Sequence, residues 1–217
     1  MNLAQYIDHT NLSPIATATD IKKLCEEAIT LGCKAVCVAP YHVSNAFEYI
    51  GDSKVLIATV AGFPFGYSTI PPKVEELKKA IDNGAKELDV VVNLAAVKEK
   101  RWNYVQNEIE ILTTTCHLQD KIIKVIFETG VLTRDEIVKL CEICTTIGVN
   151  FVKTSTGFNG AGATVEAVQI MKANLPSHIG IKASGGIRSI QNMLDMIQAG
   201  ATRIGTSSAV SILQNKN

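Results

Sequence analysis

Residues 133–154 read TRDEIVKLCEICTTIGVNFVKT, and the register of that stretch decides the fold. Ile137, Leu140, Cys141, Cys144 and Ile147 recur at helical spacing, which makes one face of a helix over 133–147 apolar. Thr133 and Glu136 stand at capping-box spacing at its start. Gly148 follows it, where a left-handed residue ends a helix. Beyond Val149-Asn150 the run Phe151-Val152-Lys153-Thr154 reads as a short strand. The same glycine joint returns as Gly84-Ala85-Lys86 and Gly200-Ala201-Thr202, each ahead of another strand. One helix-to-strand connection is being reused along the chain.

Working outward from that unit, strands are expected at 6–9, 35–38, 55–61, 87–92, 122–127, 151–154, 179–183 and 203–205. Helices are expected at 18–31, 43–50, 73–83, 104–116, 133–147, 164–173, 190–199 and 208–213, with Gly32 a further helix stop and Pro71-Pro72 a helix start. The strands are mostly continuous apolar runs, as parallel strands covered on both faces require. Eight strand–helix units joined by connections of a few residues predict an α/β fold, a compact (β/α)8 TIM barrel forming one domain over 1–217. An open doubly wound sheet is the alternative. No GxGxxG follows the first strand to favour it, and residues 157–162 have the wrong glycine order.

Composition narrows the function classes. The chain has 217 residues, 47% apolar and 19% charged, which excludes intrinsic disorder and supports a sizeable core. Its 21 basic and 21 acidic residues cancel, so no nucleic-acid or membrane-surface partner is expected. No apolar run reaches the roughly 18 residues of a membrane span. Residues 1–5 lack a signal-peptide pattern, so a cytoplasmic location is expected. The six cysteines are read as free thiols, and the Cys141/Cys144 pair as core-facing. With no second CxxC and no HxxxH, no metal is expected.

Polar residues on apolar strands mark the candidate site. Asp89, Lys153 and Lys182 fall where apolar residues would be ordinary, and Asp8 makes a fourth. A buried lysine needs a partner or a depressed pKa. Two readings stay open on the residues alone. In one, Asp89 and a lysine form a structural ion pair. In the other, two lysines share one carboxylate, one ammonium lacks a counter-charge, and its neutral amine becomes a nucleophile able to form a Schiff base. Ser184-Gly185-Gly186-Ile187-Arg188 and Gly205-Thr206-Ser207-Ser208 follow the seventh and eighth strands, where barrels commonly bind phosphate. His9 could line the mouth, while His42, His117 and His178 read as loop or helix-end residues. Cys37 ends the second strand and could face the pocket, a buried structural thiol being the commoner case for such a position.

Residues 151–158 and 182–188 together resemble the deoxyribose-phosphate aldolase family. The likeness extends to Ile7-Asp8-His9-Thr10, Gly62-Phe63-Pro64-Phe65-Gly66, Gly84-Ala85-Lys86-Glu87-Leu88-Asp89, Glu128-Thr129-Gly130 and Arg203-Ile204-Gly205-Thr206-Ser207, all in order. The resemblance implies a metal- and cofactor-independent class I aldolase. It would interconvert 2-deoxy-D-ribose 5-phosphate with D-glyceraldehyde 3-phosphate and acetaldehyde. It implies Lys153 as the Schiff-base lysine, Lys182 as the lysine that perturbs it, and Asp89 as the proton-relay carboxylate. Gly157, Gly185, Gly186, Arg188, Gly205, Ser207 and Ser208 would bind phosphate. Pro71-Pro72 depart from the polar helix starts of relatives. Some relatives end in a tyrosine-bearing tail, whereas the last residues here are Gln214-Asn215-Lys216-Asn217, which leaves open whether the tail helps to close the site. A homodimer is expected on general grounds.

Overall fold

Strand β8 pairs with β1, and that pairing closes the sheet into a barrel. The structure is a computed structural model that describes residues 2–214. Its strands are β1 (Ile7–Asn11), β2 (Ala35–Val38), β3 (Leu56–Ala61), β4 (Glu87–Val91), β5 (Ile122–Ile126), β6 (Phe151–Lys153), β7 (Gly180–Ser184) and β8 (Arg203–Thr206). Each is parallel to its neighbours in the order 1 to 8. Asp8 is in register with Ala35 on one side and with Gly205 on the other. The open-sheet alternative is thereby excluded.

The helices are α1 (Ala18–Leu31), α2 (Val43–Ile50), α3 (Ile70–Asp82), α4 (Leu94–Lys98), α5 (Trp102–His117), α6 (Arg134–Ile147), α7 (Val165–Asn174), α8 (Ile190–Ala199) and α9 (Ala209–Gln214). The capping box of Thr133 and Glu136 is formed, and Gly148 adopts φ 79° at the end of α6. Two departures from the sequence reading have local causes. Helix α3 begins at Ile70 rather than at 73, because Pro71 and Pro72 fit inside a first turn whose N–H groups have no helical acceptor. Helix α4 spans five residues, too few to show a helical period, and starts where the Asn93 side chain accepts the Ala96 N–H at 3.1 Å. Residues 215–217, on which the reading of the tail depends, lie outside the described residues.

Two distinct layers fill the molecule. Outward-facing strand residues such as Ile7, Val36, Val90, Ile123 and Ile204 pack against the helices to form the main apolar core. All six cysteines are free and buried. Burial pushes the Cys141 thiol up to about 12 and Cys144 well above its ordinary value, so both pack as small hydrophobes. Inside the barrel, Ala35, Cys37, Ala58 and Val60 form a separate small cluster on β2 and β3. Most of the charged side chains of the strands face this interior, among buried neighbours such as Val91 and Ile126.

A buried ion pair outside the barrel fixes the β3–α3 loop at the rim. Lys73 Nζ, fully buried, donates to Glu108 Oε1 and to the carbonyl oxygens of Gly66 and Val91, each at 2.8 Å. Glu108 Oε2 in turn accepts the Asn93 N–H at 2.8 Å. Burial pulls the Lys73 amine below its ordinary pKa and raises the Glu108 carboxyl, against their mutual attraction. All three ammonium hydrogens have acceptors, so removing the amine strands a carboxylate and two carbonyls. We expect Lys73→Met to cost about 3–5 kcal/mol of stability, read as a lowered urea midpoint. A midpoint within experimental scatter of the wild type would show that the pair contributes nothing.

Candidate active site

Seven ionisable side chains meet inside the barrel. Asp8, Glu87, Asp89, Lys124, Lys153, Lys182 and Arg203 are all buried. The parallel register puts Asp89 beside Lys124, Lys153 beside Lys182, and Lys182 beside Arg203. Because these pairs face the same way, their side chains share the interior.

Asp89 is the hub. Its Oδ2 accepts from Lys153 Nζ at 2.9 Å and from Lys182 Nζ at 2.7 Å, while its Oδ1 accepts from Lys124 Nζ at 2.6 Å. Lys182 also donates to Asp8. Lys124 pairs with Glu87 at 2.7 Å, and Arg203 joins Asp8 at 2.7 Å to Glu87 at 2.8 Å. The Arg203 guanidinium lies over the Phe151 ring, 5.3 Å from its centroid.

The network corrects the simpler picture of two lysines sharing one carboxylate. Three carboxylates face four cationic side chains, so full ionisation would leave one unbalanced positive charge. The burden falls on Lys153. Burial lowers its pKa, Asp89 opposes that, and the neighbouring Lys182 lowers it again; the balance lies below the ordinary lysine value. Burial acts the same way on Lys182, but Asp8 and Asp89 outweigh it and its pKa is raised. Lys124 is raised too, as Asp89 and Glu87 overcome its burial. Burial would lift the Asp89 carboxyl, yet Lys124, Lys153 and Lys182 hold it well below the usual range. Among the described residues, Lys153 is the one amine of this network displaced towards neutrality.

Glu87, Lys124 and Arg203 were not among the candidate residues read from the sequence. The available signal was spacing. Glu87 and Asp89 are two apart on β4, so one face of that strand carries both, and Lys124 alternates with the apolar Ile123 and Val125. Cys37 is buried on β2 in the barrel's small apolar cluster, close enough to feel Lys182, Asp89 and Lys153.

Above the network, at the C-terminal ends of the strands, opens a cavity of about 1120 Å³. Lys153 lines it, whereas Lys182, Lys124, Arg203 and Asp89 do not. All seven residues expected to bind phosphate, Gly157, Gly185, Gly186, Arg188, Gly205, Ser207 and Ser208, also line it. His9 lines the same cavity, its Nε2 2.8 Å from Glu27 Oε2 on α1.

The loops around the mouth are built for close approach. A Cβ on Gly162 would lie 2.2 Å from the Gly185 carbonyl oxygen, so the β6 and β7 loops pack backbone on backbone. Gly205 has a further role, because a Cβ there would come within 3.0 Å of Lys182 Cε. Its lack of a side chain makes room for the lysine stem. The buried Glu128 carboxylate accepts the Thr156 N–H at 3.1 Å and the Thr156 hydroxyl at 2.5 Å, tying the β5 loop to the β6 loop. Glu128 belongs to the Glu128-Thr129-Gly130 motif, and nothing local in the sequence signals its contact with Thr156.

The sequence pattern of the DeoC/LacD family aldolases matches residues 2–215. The chain belongs to that family. Among DeoC/LacD aldolases, the deoxyribose-phosphate aldolase of Thermococcus gammatolerans is 49% identical over 99% of this chain and 96% of its own length. A crystal structure from Coccidioides immitis superposes with a TM-score of 0.94 at 44% identity, covering 98% of this chain and 85% of that one. The deoxyribose phosphate aldolase of Aeropyrum pernix, described as a tetramer, superposes with a TM-score of 0.90 at 33% identity over 98% and 89% of the two chains. No helix among the described residues is long and apolar enough to cross a membrane. The family match spans the same strand ends that carry Asp89, Lys153 and Lys182.

Proposed function

We propose that the chain is a single aldolase domain that reversibly cleaves 2-deoxy-D-ribose 5-phosphate to D-glyceraldehyde 3-phosphate and acetaldehyde through an imine on Lys153. One observation carries this reading: of the four cationic side chains buried in the barrel, Lys153 is the one that lines the open cavity. It meets the substrate with its pKa lowered, and the expected phosphate loops line the same cavity.

The steps follow from that arrangement. The neutral Lys153 amine adds to the C1 aldehyde of the open-chain sugar, and loss of water leaves an iminium. The iminium accepts the electron pair of the C2–C3 bond. Asp89, directly or through a water, takes the proton of the C3 hydroxyl as C3 becomes the aldehyde of glyceraldehyde 3-phosphate. The remaining two carbons stay on Lys153 as an enamine. A proton returned to C2 restores the iminium, and water releases acetaldehyde and the free amine. Lys182 stays protonated between Asp8 and Asp89, and keeps the unbound Lys153 amine available. Holding the phosphate end lets binding energy orient C1 at Lys153.

The test is a coupled assay in which glyceraldehyde 3-phosphate released from 2-deoxy-D-ribose 5-phosphate is followed in EDTA. We expect turnover that persists in the chelator, because the iminium supplies the electron sink. Absence of acetaldehyde among the products would reject deoxyribose phosphate as substrate and favour an aldolase of a longer phosphorylated sugar.

A further inference from the structure

The β7–β8 ladder ends at the pair Ser184–Gly205, just below the two loops expected to hold phosphate. Beyond that pair, among the described residues, one side-chain hydroxyl hydrogen-bonds across the two loops. Thr206, the last residue of β8, is 5% exposed. Its Oγ1 donates to the Ile187 carbonyl oxygen at 2.6 Å and accepts the Ser208 N–H at 2.9 Å. Ile187 lies between Gly186 and Arg188, and Ser208 follows Ser207, so the hydroxyl touches both segments at their centres.

The contact is directional on both sides. A threonine hydroxyl has one hydrogen to give and lone pairs to receive, and here both capacities are used. The Ser208 N–H is consequently occupied by Thr206, which leaves the Ser208 hydroxyl as that residue's donor towards the cavity. The neighbouring strand ends follow the same pattern. Ser184 Oγ donates to the Ser155 carbonyl oxygen at 2.6 Å, and the Ser184 N–H donates to Thr154 Oγ1 at 3.0 Å. Hydroxyls set the spacing from loop to loop across β6, β7 and β8.

We infer that Thr206 is a positioning residue for phosphate recognition: it holds the β7 and β8 loops at the separation that lets one phosphate engage both. This deepens the proposed function and rests on its placement of the phosphate. Thr206 acts through the loops, and its loss falls on the affinity for the phosphate rather than on the imine chemistry at Lys153.

The experiment compares wild type, Thr206→Val and Thr206→Ser, with Thr206→Ala replacing the valine variant should it not fold. Inorganic phosphate affinity is measured by calorimetry. Steady-state kinetics are then run on 2-deoxyribose 5-phosphate and on unphosphorylated 2-deoxyribose. Valine keeps the shape and removes the hydroxyl, and we expect it to weaken phosphate binding about tenfold. KM for the phosphorylated sugar should rise by a similar factor with a much smaller change in kcat, so the preference for it over deoxyribose falls. Serine should restore all three. Unchanged phosphate affinity in Thr206→Val, an equal loss on both sugars, or serine behaving like valine would overturn the inference. So would a wild type that binds no phosphate. A wild type that binds phosphate yet cleaves neither sugar would sink the aldolase reading, while the phosphate titrations would still decide the role of Thr206.

Discussion

Lys153→Ala is expected to reduce kcat by more than about 10⁴-fold while leaving the protein folded and phosphate binding largely intact. The loss follows because no other buried amine lines the cavity among the described residues: Lys182 and Lys124 are outside its lining and held by Asp8, Glu87 and Asp89, and Lys23, which does line it, is a solvent-exposed side chain of α1. Retained folding follows from the charge count. Removing Lys153 leaves three carboxylates with Lys124, Lys182 and Arg203, a balanced set in which Asp89 keeps two of its three lysine donors. The variant therefore escapes the usual penalty of an uncompensated buried charge. Wild-type protein incubated with acetaldehyde and borohydride, then digested and mapped by mass, should carry one ethyl group on Lys153, and the variant none. An adduct mainly on Lys182 would reverse the two lysines' roles. No adduct on folded wild type would reject the imine altogether and leave a phosphate-binding barrel.

The barrel was legible because its unit repeats. The Gly148-Val149-Asn150 joint recurs before β4 and β8, and four residue spans, α1, α2, α8 and β2, have the bounds read from the sequence. Asp89, Lys153 and Lys182 were legible because a charge among apolar strand residues has no solvent-facing explanation. Glu87 and Arg203 were harder, since each opens its strand, and a charge there is ordinarily read as a solvated end. Lys124 stands mid-strand in Ile122–Ile126, where it can be told from a surface lysine only once the barrel has closed around it. What single strands do not carry is the tally across strands. Three carboxylates against four cations emerges only when β1, β4, β5, β6, β7 and β8 face one interior, and that imbalance sets Lys153 apart.

Lys182→Met should move the rising limb of the pH–rate profile to higher pH and cut the rate near neutrality by about 10²-fold or more. Methionine suits the site because its unbranched stem can follow the lysine past Gly205, where a Cβ would already crowd Lys182 Cε. The sign comes from the charges around Lys153. Burial and the Lys182 ammonium both favour the neutral amine of Lys153, and Asp89 favours its protonated form. With Lys182 uncharged, the pull of Asp89 is opposed by burial alone, and the carboxylate oxygen 2.9 Å from Nζ loses a competing donor. The Lys153 pKa rises, less of it is free base at neutral pH, and imine formation requires more alkaline solution. Asp8 keeps Arg203 as a partner at 2.7 Å, so the acid left behind remains paired. Asp89→Asn supplies the opposite shift: it removes the group that favours the Lys153 ammonium, so borohydride trapping should reach lower pH even as turnover falls for want of the proton relay. Limbs that move in the same direction in both variants, or an unmoved limb in Lys182→Met, would show that Lys182 does not control Lys153 through charge.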